Sequence, residues 1–278
     1  MTTSTHSPRT RRVVYDGLNL ALRQGTGIAT YTRVLTRIAR SLGYDVGVVY
    51  GVPLPAAENP LLREVLFFDQ MRAPSHRATA SRPRVLYNKF VDHLRYFSAI
   101  HPSPLGLGNA VIAKQFTDVL PEVDSAFLVR NLFDNANLFF RWTGKLARLS
   151  LDTRPDIFHF TYPVPIKGTS ARNIYTIHDL MPLRLPFATM DNKTQTLRLL
   201  KALAKDADHI VTVSENSRKD IIRLLGIDEK RVTNTYQTVT FPQQYLDRPE
   251  TVVANFLDAR YGLEMYGYLI FFGALEPK

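Results

Sequence analysis

The stretch VVYDGLNLALRQGTGIATYTRVLTRIARSLGYDVGVVYG, residues 13–51, decides the fold. Val13, Val14 and Tyr15, followed by Asp16-Gly17, read as a short buried strand that runs into a loop. The loop carries Gln24-Gly25-Thr26-Gly27, whose glycines let backbone amides approach an anion at the start of the next helix. Ile28, Tyr31, Leu35, Ile38 and Leu42 then recur with helical period on one face, and Gly43 supplies a stop. Residues 45–51 (DVGVVYG) return as a second strand. Strand, glycine-bearing loop, helix and strand open a Rossmann-like unit.

Outward from that unit the alternation continues. Residues 64–69 (EVLFFD) predict a strand, residues 85–100 a helix, and residues 126–129 a strand. Over 135–149, Leu138, Trp142, Leu146 and Leu149 form an apolar stripe beside a basic edge of Arg141, Lys145 and Arg148, which predicts an amphipathic helix. Residues 156–160 (DIFHF), 173–177 (NIYTI) and 209–213 (HIVTV) read as buried strands, with a helix over 190–206. Ser214 caps a helix over 215–225 that Gly226 ends. A strand over 231–236, a helix over 250–261 and an apolar strand over 268–272 (YLIFF) complete the reading. The fold class expected is α/β: a Rossmann-like, doubly wound, mostly parallel sheet.

Composition sets the outer bounds. The chain has 278 residues, 35 Lys+Arg against 25 Asp+Glu, and no cysteine. The last count excludes a disulfide scaffold, a thiolate metal site and a cysteine nucleophile. No apolar run approaches the roughly 18 residues of a membrane span, and no signal-peptide core follows the N-terminus. A cytoplasmic protein is expected. The charge is uneven: residues 1–150 balance at +9 and residues 151–278 at +1. Seven basic residues (Arg72, Arg77, Arg82, Arg84, Lys89, Arg95 and Lys114) stand with one acid, Asp92. Such a half attracts anions, whether a phosphorylated substrate or an anionic membrane surface, unless it serves only solubility. No nucleic-acid partner is expected, because no helix-turn-helix, RNA-stacking or zinc-finger signature accompanies the charge.

Candidate chemistry concentrates in one place. The strand ending at Ile177 delivers His178 and Asp179 to its carboxyl end, where α/β sheets place ligands. A histidine there can titrate near neutral pH and donate to a substrate oxygen, with the aspartate orienting polar groups. A polar loop that only caps residues 180–182 would look the same. A nicotinamide site is disfavoured, because Thr30 stands where G-x-G-x-x-G needs glycine. No G-x-S-x-G elbow surrounds Ser214, so a hydrolase nucleophile is disfavoured and helix capping is its first reading. His159 and His178 lack the spacing of a metal cage, so no metal is expected.

Four stretches together resemble the N-terminal domain of glycosyltransferase family 4, the retaining, two-Rossmann-domain GT-B sugar transferases. They are Thr26-Gly27-Ile28 with Tyr31; residues 154–159 leading to Tyr175-Thr176-Ile177-His178-Asp179-Leu180 and Pro182-Leu183; Val213-Ser214-Glu215 with Ser217 and Asp220; and residues 273–278 (GALEPK). The resemblance implies a retaining transferase moving a sugar from a GDP- or UDP-sugar to a glycan or lipid-linked acceptor. The setting it implies is bacterial surface-polysaccharide assembly (lipopolysaccharide O-antigen or exopolysaccharide), with mannosyl transfer suggested around residues 178–182. It implies His178 and Asp179 as catalytic, with Gly25, Thr26, Gly27, Ser214, Glu276 and Lys278 binding donor or acceptor; Ala274 departs from the arginine of some members. No cofactor is implied, the nucleotide-sugar being a substrate. Its division of the chain is a basic tail over 1–12, an acceptor-binding domain over 13–245, and over 246–278 a linker helix with the first strand of a donor domain. A chain without the rest of that domain is expected to be inactive alone. Localisation is expected to be cytoplasmic, peripheral at the inner face of the cell membrane. A non-catalytic glycan-binding or scaffolding module derived from such an enzyme is the alternative.

Overall fold

The computed structural model describes residues 10–22, 27–55, 57–72, 95–107, 111, 120–190, 192–238, 241 and 243–271. An eight-stranded sheet forms the frame. Its strands, in chain order, are β1 (Arg12–Asp16), β2 (Asp45–Tyr50), β4 (Ser103–Leu105), β5 (Ser125–Leu128), β7 (Ile157–Phe160), β9 (Arg172–Thr176), β10 (His209–Thr212) and β11 (Val232–Asn234). Across the sheet the order is β11-β10-β9-β7-β1-β2-β5-β4. All neighbours are parallel except β4, which runs antiparallel on β5 at the edge. A small parallel sheet of β3 (Ala99–Ile100), β6 (Ala147–Leu149) and β8 (Ile166–Gly168) lies beside it. The Rossmann-like, doubly wound α/β fold read from the sequence is the fold observed.

Alternation along the central strands builds a core on each face. Val13, Tyr15, Val46, Val48 and Tyr50 join Phe67, Phe68 and Met71 on one side. Val14 and Val49 join Phe133, Phe139, Phe158 and Tyr175 on the other. Period-two packing on both faces is what a sheet covered by helices requires.

From β1 the chain winds outward through β2 to β5, then returns to β7 on β1's opposite side and winds outward again. The reversal between β1 and β7 is the topological switch point, and the crevice at the carboxyl ends of those strands is where such sheets take ligands.

Several expectations change. Residues 64–69 are helical, not a strand, within α2 (Pro60–Arg72). Asn59 Oδ1 accepts from Leu61 N (2.9 Å), and Pro60 at the first position suits a helix start. The run over 135–149 is not one helix. Helix α3 (Leu132–Thr143) stops at Gly144, whose φ of 72° is the left-handed conformation glycine accepts, and the stripe's last member, Leu149, belongs to β6. Of the helix predicted over 85–100, residues 85–94 lie outside the described residues, and Ala99–Ile100 form a strand.

Helix α1 (Gly27–Ser41) buries Ala29, Tyr31, Thr32, Thr36 and Ala39, while Ile38 and Leu42 of the expected face are exposed. The predicted strand over 231–236 shrinks to β11, because Glu229–Arg231 form a 3-10 turn. Of the donor-domain strand read over 268–272, residue 272 lies outside the described residues, and Tyr268–Phe271 have no regular structure, with Leu269, Ile270 and Phe271 exposed; no strand pairs with them among the described residues.

The helices over 215–225 and 250–261 fall where predicted, ended by Gly226 and Gly262 in left-handed conformations. The helix expected over 190–206 starts later, at Lys193, where Asn192 Oδ1 accepts from Gln195 N (3.0 Å).

Candidate functional site

At the switch point four strand ends converge. Asp16 closes β1, Thr161 follows β7, His178 follows β9 by two residues, and Ser214 follows β10. Parallel pairing puts all of them on one edge of the sheet. Tyr15 stands opposite His159 across the β1–β7 ladder, and His159 opposite Ile174 across β7–β9.

His178 is held on both ring nitrogens. Nε2 lies 2.9 Å from the Thr161 carbonyl oxygen, which can only accept, so Nε2 carries the proton. Nδ1 is then the lone-pair side, and the Gln237 amide donates to it at 3.2 Å. The Tyr31 ring stands edge-on to the imidazole, centroids 5.3 Å apart. Partial burial lowers the histidine's pKa, against the Thr161 carbonyl and the Asp179 charge, which raise it. The ring is therefore neutral near pH 7, and its Nδ1 is the nitrogen that accepts a hydrogen bond. The sequence suggested a histidine that donates to a substrate oxygen; here its N–H is already committed to Thr161. Asp179 is exposed, and its Oδ1 accepts from Met181 N (3.0 Å), which turns the chain into the short helix Met181–Arg184.

Beneath this histidine lies a polar layer. Asp16, 4% exposed, accepts from the Thr161 amide, from the Thr161 hydroxyl (2.8 Å) and, on its other oxygen, from Leu18 N (3.3 Å). Burial pushes its carboxyl up to about 6, against those three bonds, which hold it down. Thr32 of α1 reaches the same Thr161 hydroxyl at 2.9 Å. His159 Nε2 lies 2.8 Å from Thr176 Oγ1, which also sits 3.3 Å from Tyr31 Oη. Burial first, then the neighbouring His178, depresses His159 to about 4. Burial raises the Tyr31 phenol. Asp16, Thr161, Thr176 and Gln237 were given no site role by the sequence reading, although Asp16 and Thr176 stood within its motifs. The available signal was a polar residue ending an apolar strand, as in VVYD and IFHFT, but its partners stand 145 residues apart.

The other predicted site residues divide into three groups. Ser214 accepts from Ser217 N at 3.1 Å and donates to Ser217 Oγ at 2.9 Å, so its side chain caps the helix it precedes. Gly27 is exposed at the first turn of α1. Gly25, Thr26, Glu276 and Lys278 lie outside the described residues.

A second concavity opens at the carboxyl ends of β2 and β5. It is a cleft of about 460 Å³ whose lining includes Arg63, Arg95, Arg130 and His101 against one acid, Glu58. Arg63 also holds the cleft's shape, donating to the carbonyls of Ala57, Glu58 and Pro104. Among the described residues, no helix is long and apolar enough to cross a membrane.

A parallel sheet with polar strand ends gathered at its switch point defines a doubly wound α/β domain, the class of fold that takes ligands at this edge. Residues 110–237 match the family profile described as Glycosyltransferase Family 4. That span is similar to glycosyltransferase family 4, as the motifs suggested, and the likeness supports glycosyl transfer between a sugar donor and an acceptor in general. The matched span holds His159, Thr161, Thr176, His178, Ser214 and Gln237, while Asp16 and Tyr31 precede it. No curated protein matches the sequence.

Proposed function

We propose that this protein takes part in retaining transfer of a sugar from a GDP- or UDP-sugar to a glycan or lipid-linked acceptor. The setting proposed is assembly of a bacterial surface polysaccharide, with a mannosyl donor as the first to assay. The observation that carries the reading is His178: a neutral imidazole at the switch point, its N–H fixed on Thr161 and its Nδ1 accepting from the exposed Gln237 amide. When substrate replaces Gln237, Nδ1 accepts a hydrogen bond from a hydroxyl of the transferred sugar. This holds the anomeric carbon while the bond to the leaving phosphate breaks and the acceptor hydroxyl attacks the same face, passing its proton to the departing phosphate oxygen.

The arginine-lined cleft supplies the acceptor's seat. Its charge suits a phosphate-bearing lipid carrier, and guanidinium groups pair with phosphate in bidentate geometry. The uneven charge of the chain supports a peripheral place at an anionic membrane face. The binding-module alternative leaned on an unpaired last strand, which Tyr268–Phe271 do not form, so no observation now favours it.

The test is transfer of labelled sugar from GDP-mannose and from UDP-sugars to lipid-linked acceptors by the full-length protein. His178→Ala is expected to lower turnover about a hundredfold or more at unchanged fold, a loss typical of removing a group that acts in the transition state. Unchanged turnover would make the histidine structural.

A further inference from the structure

We propose that Asp16 is a positioning residue: through Thr161 it holds His178 in the single tautomer that leaves Nδ1 open to substrate. The proposal rests on the reading of His178 as the residue facing the transferred sugar.

Three observations carry it. First, Asp16 is buried at the end of β1, and among the described residues no basic side chain pairs with it; its oxygens are taken by N–H and O–H donors, two of them from Thr161. A carboxylate has no proton of its own here, so it can only accept, and it fixes the direction of both Thr161 groups. Second, Thr161 is the first residue beyond β7 and lies outside the β1–β7 ladder, which pairs Val13, Val14 and Tyr15 with Ile157, Phe158 and His159. What anchors it across the switch point is the Asp16 side chain, not strand pairing. Third, the carbonyl of that same residue receives His178 Nε2–H at 2.9 Å. Were Thr161 free to turn away, Nε2–H would lose its acceptor, and the two neutral tautomers would no longer differ by that bond.

The same clamp reaches the front of the site. Thr32, one turn into α1, meets the Thr161 hydroxyl at 2.9 Å, and Tyr31 beside it packs against the imidazole. One carboxylate thus sets the histidine and the helix that follows the glycine loop in a common frame. Burying a charge without a counter-charge is unfavourable for folding, and a neutral side chain would serve a purely structural junction. A requirement for an acceptor-only group at this point explains its presence.

The test reads the tautomer directly. Long-range ¹H–¹⁵N spectra of the protein, with the His178 ring assigned by loss of its signals in His178→Ala, distinguish Nε2–H from Nδ1–H. The wild type is expected to show Nε2–H alone. Asp16→Ala is expected to bring in the second tautomer. Asp16→Asn, which must turn an N–H toward one of the three donors, is expected to do so to a smaller extent, and it serves if the alanine variant does not fold. A folded Asp16 variant that keeps the single Nε2–H tautomer overturns the proposal.

In the transfer assay Asp16→Asn is expected to lower kcat about tenfold, with KM for the donor changed less than twofold, and to add nothing in a His178→Ala background. Multiplying losses in the double variant would show Asp16 acting apart from His178 and would also overturn it. If His178→Ala alone leaves transfer intact, the functional reading falls while the spectra still decide what Asp16 does.

Discussion

Asp16 and His159 titrate in opposite senses, and the difference between them is measurable as stability. His159 has its pKa lowered from 6.5 to about 4 by burial. On acidification the unfolded chain takes this proton first, so stability is lost as pH falls from 6.5 toward 4. Asp16 has its pKa raised from 3.8 to about 6, again by burial. The folded state prefers this group protonated, so its contribution is full below 3.8 and lost as pH rises through 6. Between pH 7 and 4.5 the histidine removes about 2 kcal/mol and the aspartic acid restores about 2 kcal/mol.

These two groups therefore nearly cancel in the wild type. Asp16→Asn removes one of them and exposes the other: relative to wild type it should lose about 2 kcal/mol between pH 7 and pH 4.5. Urea unfolding followed by circular dichroism at both pH values measures this, and taking the difference between the two proteins removes the titrations they share. Parallel stability curves for the two proteins would refute the reasoning, because they would mean that Asp16 is ionised alike in both states.

Three further outcomes are expected. Gly168→Ala should destabilise by about 3 kcal/mol in urea unfolding, since its Cβ would lie 1.8 Å from Cδ2 of the buried Phe158 ring; wild-type stability would contradict that packing. Ser214→Ala should cost about 1 kcal/mol by thermal unfolding through loss of the cap on Glu215–Leu225, and an unchanged melting temperature would disprove the capping role. Co-sedimentation at low salt should favour anionic over neutral vesicles, with the preference fading as salt rises; equal binding to both would remove the membrane-surface reading.

Much of the frame was legible because its signals are local. Short, mostly apolar stretches of three to seven residues marked β1, β2, β7, β9 and β10, and a cap with a glycine stop marked Glu215–Leu225. Errors arose where one pattern served two structures. EVLFFD is apolar enough for a strand, but within Pro60–Arg72 its Phe67, Phe68 and Met71 make a buried helical face, and Glu64 at 1% exposed accepts from Val111 N (3.3 Å). Leu138, Trp142, Leu146 and Leu149 keep helical spacing straight through Gly144, where the chain turns into β6.

The site was half legible. His178 stood out because a strand end placed it, and Tyr31 and Ser214 entered through the resemblance. Asp16 and Thr161 did not, since a buried carboxylate and its hydroxyl partner are recognisable only once β1 and β7 lie side by side.

The measurement that tests the account most directly is sugar transfer by the full-length protein, wild type against His178→Ala, from GDP- and UDP-sugars to lipid-linked acceptors. Donor-dependent transfer by the wild type and a loss of about a hundredfold or more in a folded variant are expected. Equal transfer by the two proteins would contradict the account, because the neutral imidazole at the switch point would then have no part in the reaction.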